Sequence, residues 1–248
     1  MAKRYRNPPV REALCEIYFM GSEWDHATQG RFYERIKDEF PIKQQVSEFV
    51  AEFKMTEQER AARVSEMQSR MRYGRPDGSR LIQLAPDLLV VNQLRPYPHF
   101  GDWRPVVSKM AGIYAGMAAP KTVRQIGLRY INEIVIPASG EVRLEEYFTV
   151  YPHIPETMGG KHGPYMLRLE MPTTHQGHTL VITFAMGPPK SSGELTFTLD
   201  LYDTFMLPFG FSIAEIERRV DEAHGEIEQV FGNFSTEKLR ALFDEVKG

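Results

Sequence analysis

The chain has 248 residues, a net charge of −3 and a single cysteine, with 42% hydrophobic and 25% charged residues. This is the composition of an ordinary globular protein, long enough for one α+β domain or two fused halves. It argues against a membrane-spanning helix, since no run approaches ~18 uninterrupted apolar residues, and against charge-driven attraction to nucleic acid or anionic membranes.

The basic start, MAKRYRNPPV, has no apolar run behind it, so no secretory signal is expected. Val10–Met20 alternates as a strand. Ala13, Cys15, Ile17 and Phe19 point one way and Glu12, Leu14, Glu16 and Tyr18 the other. Cys15 has no partner for a disulfide, and its place on the apolar side predicts a buried thiol in a reducing cytoplasm. A helix is expected over Asp25–Phe40, closed by Pro41, and a second strand in SEFVAEFKM. Thr56–Arg70 has helical composition with only a weak apolar stripe and predicts an exposed helix or an excursion between strands.

Asp77-Gly78 and Pro86-Asp87 punctuate Met71–Leu94 into a three-stranded antiparallel meander. The aromatic, proline-rich RPYPHFGDWRP then leads into a helix over Trp103–Met117. TVRQIGLRYINEIVIP reads as a long central strand ended by Pro137. A short helix near Leu144–Phe148 and the loop YPHIPETMGGKHGP follow. Strands are predicted at Tyr165–Met171, His178–Met186 and Glu194–Leu201, which must pair antiparallel because no helix separates them. Ser212 and Glu215 form a capping box before an amphipathic helix carrying Ile213, Ile216, Val220, Ala223, Ile227 and Val230. Ser235 is the expected cap of a last short helix.

The fold class that follows is α+β: a curved, mainly antiparallel sheet with amphipathic helices on one face, in a single domain over 1–248. The two halves, 1–120 and 121–248, share a plan of strand, meander and helix without repeating residue by residue.

No catalytic constellation, metal site or cofactor motif is found. GGKHGP lacks the Ser or Thr and the following helix of a P-loop, and His175 and His178 stand three residues apart without a carboxylate pair to complete a metal shell. What remains is the polar decoration of the strands. Arg129 and Glu133 share one side of the central strand, and Asn132 the other. Glu12 with Glu16, Arg168 with Glu170, and Thr196, Thr198 and Asp200 likewise share sides. Antiparallel sheets commonly keep one face wet with such groups at little energetic benefit. If the sheet enclosed them, Arg129 and Arg168, with Lys161, could grip an anion while Glu12, Glu16 or Glu133 held a cation. Such a plan is similar to tunnel-like phosphohydrolases, although their E-x-E-x-K alternation is absent here.

Four phrases, RYRNPPVREALCEIYF, DGSRLIQLAPDLLVVNQLRPYP, GLRYINEIVIP and AHGEIEQVFGNFSTEKLRALF, together resemble a sporadically distributed bacterial family of uncharacterised proteins. The resemblance covers nearly the whole chain. It implies one intact unit, and the scattered occurrence of that family implies an accessory role, as in a defence or toxin–antitoxin module.

Three functions are therefore weighed. The leading one is a cytoplasmic, non-enzymatic binding or interaction protein. Tyr97, Phe100 and Trp103 would offer a partner surface, and self-association would run through the long C-terminal helix or a sheet edge. The second is an enzyme or sensor for a phosphorylated small molecule, built on Arg129, Asn132, Glu133, Arg168, Glu12 and Glu16. The third is nucleic-acid binding through MAKRYR and the arginines between Arg60 and Arg80, weakened by the interspersed Glu57, Glu59 and Glu66.

Overall fold

The alternation in Val10–Met20 and in the central strand places these two segments side by side in the middle of the molecule. The computed structural model describes residues 4–46, 49–55, 60–66, 69–137, 142–160, 162–188 and 193–246. In chain order the elements are β1 (Arg4–Tyr5), β2 (Val10–Met20), α1 (Thr28–Ile36), β3 (Ile42–Val46), β4 (Phe49–Met55), β5 (Arg60–Glu66), β6 (Arg70–Gly74), β7 (Arg80–Ala85), β8 (Leu88–Leu94) and α2 (Phe100–Ala118). After them come β9 (Thr122–Ile136), β10 (Met166–Pro172), β11 (His178–Met186), β12 (Leu195–Phe205), β13 (Phe209–Gly210), α3 (Ile213–Phe234), α4 (Glu237–Ala241) and β14 (Glu245–Val246), with single 3-10 turns at Leu144–Glu146 and Glu156–Met158.

The fold is α+β. An open ten-stranded sheet runs in the order β10-β11-β12-β9-β2-β8-β7-β6-β3, with β13 pairing the start of β9. Its pairings are antiparallel throughout. In each half the long strand pairs with the last strand of its own meander, β2 with β8 and β9 with β12. Apart from β3 at one edge and β13 beside β9, the order is therefore symmetric about the β2/β9 seam. Bulges between Val10 and Glu12 and between Tyr18 and Phe19 shift the register along that seam.

One face of the sheet is covered by helices. Trp103, Val107, Met110 and Tyr114 of α2 and Ile216, Val220, Ala223 and Ile227 of α3 pack with Cys15, Ile17, Phe19, Leu128, Ile134, Leu199 and Leu201 in a single core. Complete burial of side chains of this kind contributes about 1.5–3 kcal/mol each. The predicted alternation of β9 holds: Leu128, Tyr130, Asn132 and Ile134 are buried on the helix side, while Arg129, Ile131 and Glu133 are half-buried on the other. The opposite face is not uniformly wet. Leu14, Ala85, Leu88 and Val90 form a second, small apolar cluster there with Tyr18.

Several expectations need correction. Arg60–Glu66 is a strand paired with β4 in a separate two-stranded sheet, not a helix; the flanking residues 56–59 and 67–68 lie outside the described set. The helical composition there came with only a weak apolar stripe, and packing of an apolar face rather than propensity holds most helices together. α1 starts later than expected because Asp25 turns the chain first. Its Oδ1 accepts from the Ala27 amide at 3.0 Å and the Thr28 hydroxyl at 2.6 Å. α2 starts earlier, at Phe100, with His99 Nδ1 accepting from the Gly101 amide. Ser212 caps α3 as predicted, its hydroxyl accepting from the Glu215 amide. Ser235 does not cap the last helix: its hydroxyl donates back to Phe231, and Thr236 caps α4 by accepting from the Leu239 amide.

Candidate functional site

The charged residues singled out on the strands share one face, where each pairs with its own neighbour and Arg168 and Glu170 stand apart at the edge. Opposed positions in the register, Leu14 with Arg129 and Arg129 with Tyr202, put Glu12, Glu16, Arg129, Glu133 and Asp200 together on the side away from the helices. Each is satisfied locally. Arg129 donates to both oxygens of Asp200, at 2.8 and 2.5 Å, a bidentate pair that holds the guanidinium charged. Glu16 accepts from the Tyr202 hydroxyl at 2.8 Å, and the Tyr202 ring lies under the Arg129 guanidinium. Gly127 makes this possible, since a Cβ there would meet the Tyr202 hydroxyl at 2.7 Å. Glu12 accepts from Asn92 Nδ2 at 2.6 Å, and Asn92 accepts in turn from Gln83.

Glu133 pairs with Arg95 at 2.8 Å, while Arg95 also donates to the carbonyls of Pro9 and Val10. Together they fasten the N-terminal segment to the sheet. Arg168 lies at the far edge and pairs with Glu170, both more than half exposed. Lys161 lies outside the described residues. Among the described residues these groups are paired locally with their neighbours, as on a wet sheet face, and Arg168 stands at the edge apart from the rest.

Of the arginines in the basic stripe, the side chains of Arg60 and Arg63 lie outside the described residues. Arg70 is buried and the Arg80 side chain is 11% exposed beside Glu39, so neither presents a free charge to a nucleic-acid backbone. Trp103 is fully buried, edge-on to Tyr130, and is no partner surface.

Tyr97 and Phe100 belong instead to a cleft of about 780 Å³ on the helix side of the sheet. Four parts of the chain build most of it, and Leu201 of β12 and Arg240 of α4 add to the lining. The segment Tyr5–Val10 forms one wall, held by the Arg95–Glu133 fastening. Tyr97–Phe100 forms the second, Tyr130 and Asn132 of β9 the third, and the C-terminal half of α3 from His224 to Asn233 the fourth.

A chain of hydrogen-bonding groups crosses these walls. The Tyr97 and Tyr130 hydroxyls lie 2.8 Å apart, and the Tyr130 hydroxyl lies 3.3 Å from His224 Nδ1. His224 Nε2 is 3.5 Å from Glu228, and its ring stacks on Phe100 with centroids 3.7 Å apart. Burial pushes the Tyr97 and Tyr130 phenols well above their usual range, so both stay neutral hydroxyls near pH 7. The hydrogen bond from His224 holds the Glu228 carboxyl below the usual carboxylate range. Asn132 is 2% exposed and its amide donates to the Leu199 carbonyl at 3.0 Å, which fixes its place on the wall. Asn132 is thus the one ligand-binding candidate among the six strand residues that lines this cleft.

Two glycines complete the α3 wall. Gly225 and Gly232 are two helical turns apart, and a Cβ added to either would meet nothing within 4 Å. Packing within the chain does not require them, although glycine in a helix interior costs roughly 1 kcal/mol relative to alanine. They leave space on the cleft side. The two arginines on the walls are engaged: Arg6 with Asp244 at 3.3 Å, and Arg240 with the carbonyls of Gly232 and Ser235.

A second polar cluster lies under α3. His178 Nδ1 is 2.6 Å from Asp203, with both side chains fully buried, and its Nε2 is 3.4 Å from Glu222. His175 meets Glu226 at 2.9 Å beside Thr174. The histidines thus do have carboxylate neighbours, brought from β12 and α3 where spacing in sequence could not show them. Among the described residues no His, Cys, Asp and Glu group has the arrangement to hold a metal ion.

No protein-family model matches the chain, and no curated protein or solved structure is significantly similar to it.

Proposed function

We propose that this chain is a cytoplasmic ligand-binding protein, acting by occupancy rather than turnover, and that the cleft between the N-terminal segment, β9 and α3 is its site. The observation that carries this reading is the run Tyr97–Tyr130–His224 along an aromatic-walled concavity. Concave, mostly apolar sites with a few convergent polar groups are where small molecules bind. Tyr5, Tyr97, Phe100 and Phe231 suit a flat ring, and the phenol hydroxyls and the imidazole suit the hydrogen-bonding edge of that ring. With its arginines already engaged, the cleft favours a neutral planar heteroaromatic compound over a phosphorylated one.

A thermal-shift panel of nucleobases, nucleosides and aromatic acids tests this, because a ligand bound only by the folded state raises its apparent stability. One neutral heteroaromatic class should raise the midpoint, and Phe100→Ala should abolish the shift while the variant stays folded. A flat response to the whole panel at millimolar concentration, or a shift that survives Phe100→Ala, would remove the cleft as the site.

A further inference from the structure

The sheet ends at β10, and among the described residues no strand pairs with its outer side. The Met186 amide donates to the Tyr165 carbonyl, and these residues are opposed when the β10/β11 register is extended by one position. In an antiparallel ladder such pairs alternate. Tyr165, Leu167, Leu169 and Met171 therefore turn their backbone groups toward β11, while Met166, Arg168, Glu170 and Pro172 turn theirs outward. An open row of donors and acceptors of this kind is a template for another strand.

The side chains say which strand. Leu167, Leu169 and Met171 oppose Phe184, Ile182 and Leu180, so they extend the core side of the sheet. Leu169 and Met171 are nevertheless 41% and 43% exposed. On the other side Arg168 and Glu170 are the only charges of the strand, two positions apart and equally exposed. We propose that β10 pairs antiparallel with β10 of a second copy, about a two-fold axis through Leu169, joining two sheets into one.

The register follows from charge. Outward-facing residues must oppose one another to exchange hydrogen bonds. Centring on Leu169 sets Arg168 of each copy against Glu170 of the other and uses the whole strand. A step to a centre on Arg168 puts two arginines face to face, and a step to Glu170 puts two glutamates face to face, both unfavourable. The Leu169 centre also makes the two Leu169 side chains a non-hydrogen-bonded pair, the closer of the two kinds, flanked by Leu167 against Met171. Pro172 fits the end of the ladder, where its carbonyl accepts from Met166 of the second copy and no amide is required.

Sedimentation velocity and light scattering test the pairing. Edge pairings of this size lie at the small end of specific interfaces, so the series should extend to about 0.5 mM. The wild-type chain should dimerise. Arg168→Glu and Glu170→Arg, each with unchanged circular dichroism, should raise the dimer Kd by about tenfold or more, and the double swap should restore it. Leu169→Cys should give a disulfide-linked dimer on mild oxidation, since the axis brings the two positions together and Cys15 is buried. A monomer across the series, a dimer indifferent to the single swaps, or a double swap that fails to restore association would overturn the proposal. None of these outcomes bears on the cleft, which lies at another part of the molecule.

Discussion

Arg129 and Asp200 stand 71 positions apart in sequence and meet as a bidentate pair across β9 and β12. Alternation was enough to put each on a side of its strand, and both sides were read correctly. It could not supply the register that makes them partners, nor the glycine at 127 that lets Tyr202 reach Glu16. The same limit applies in the cleft, where His224 and Glu228 share a helix but Tyr130 arrives from a strand. Glu228 has a testable consequence. Its folded pKa lies below the ordinary value of about 4.3, so its contribution is present above that pH and lost as pH falls through the folded value. The pair is partly exposed, which limits its worth to about 0.2–1 kcal/mol. Urea unfolding should find Glu228→Gln less stable than wild type by that amount at pH 7, with the two curves converging once the pH has fallen below the carboxyl's folded value. A difference that persists undiminished throughout the acid range would show that the carboxylate's charge is not what contributes.

At the scale of the element, α3 does two things at once. Ile216, Val220, Ala223 and Ile227 bury one stripe in the core, and the period that predicted the helix predicted that stripe. Gly225 and Gly232 fall outside it and read in the sequence only as helix-weakening residues. Their meaning needs the cleft, because only the structure shows that a methyl group at either position would stand in open space. Gly225→Ala and Gly232→Ala should each stabilise the chain by about 0.5–1 kcal/mol through helix propensity and a less flexible unfolded state. The same methyl groups narrow the site. They should weaken the thermal shift given by the heteroaromatic class that scores against the wild type. A gain in stability with undiminished binding would place the ligand elsewhere. The misread of Arg60–Glu66 belongs to this scale as well. Helix propensity was legible there, whereas the pairing with β4 that overrides it was not.

For the whole molecule, the elements that the sequence placed with least ambiguity are those joined at the seam. β2 and β9 were both legible, one as clean alternation and the other as a long strand stopped by Pro137. What the sequence could not convey is that they pair with each other, which is how the two halves come to share the one sheet and one core expected of a single domain. Cys15, Ile17 and Phe19 from the first half pack in the same cluster as Leu128, Leu199, Ile216 and Val220 from the second. A chain divided at residue 120 would expose that seam on both pieces. Unfolding should therefore be a single cooperative transition, with circular dichroism and tryptophan fluorescence giving coincident curves in urea. Leu128 is fully buried at the seam. Leu128→Ala should cost about 2–5 kcal/mol through lost burial and the cavity left behind. It should move both signals together, although Trp24 and Trp103 are in the first half and Leu128 is in the second. Curves that separate, with fluorescence unaffected by the substitution, would mean that the halves unfold on their own and that the seam is a contact between two domains.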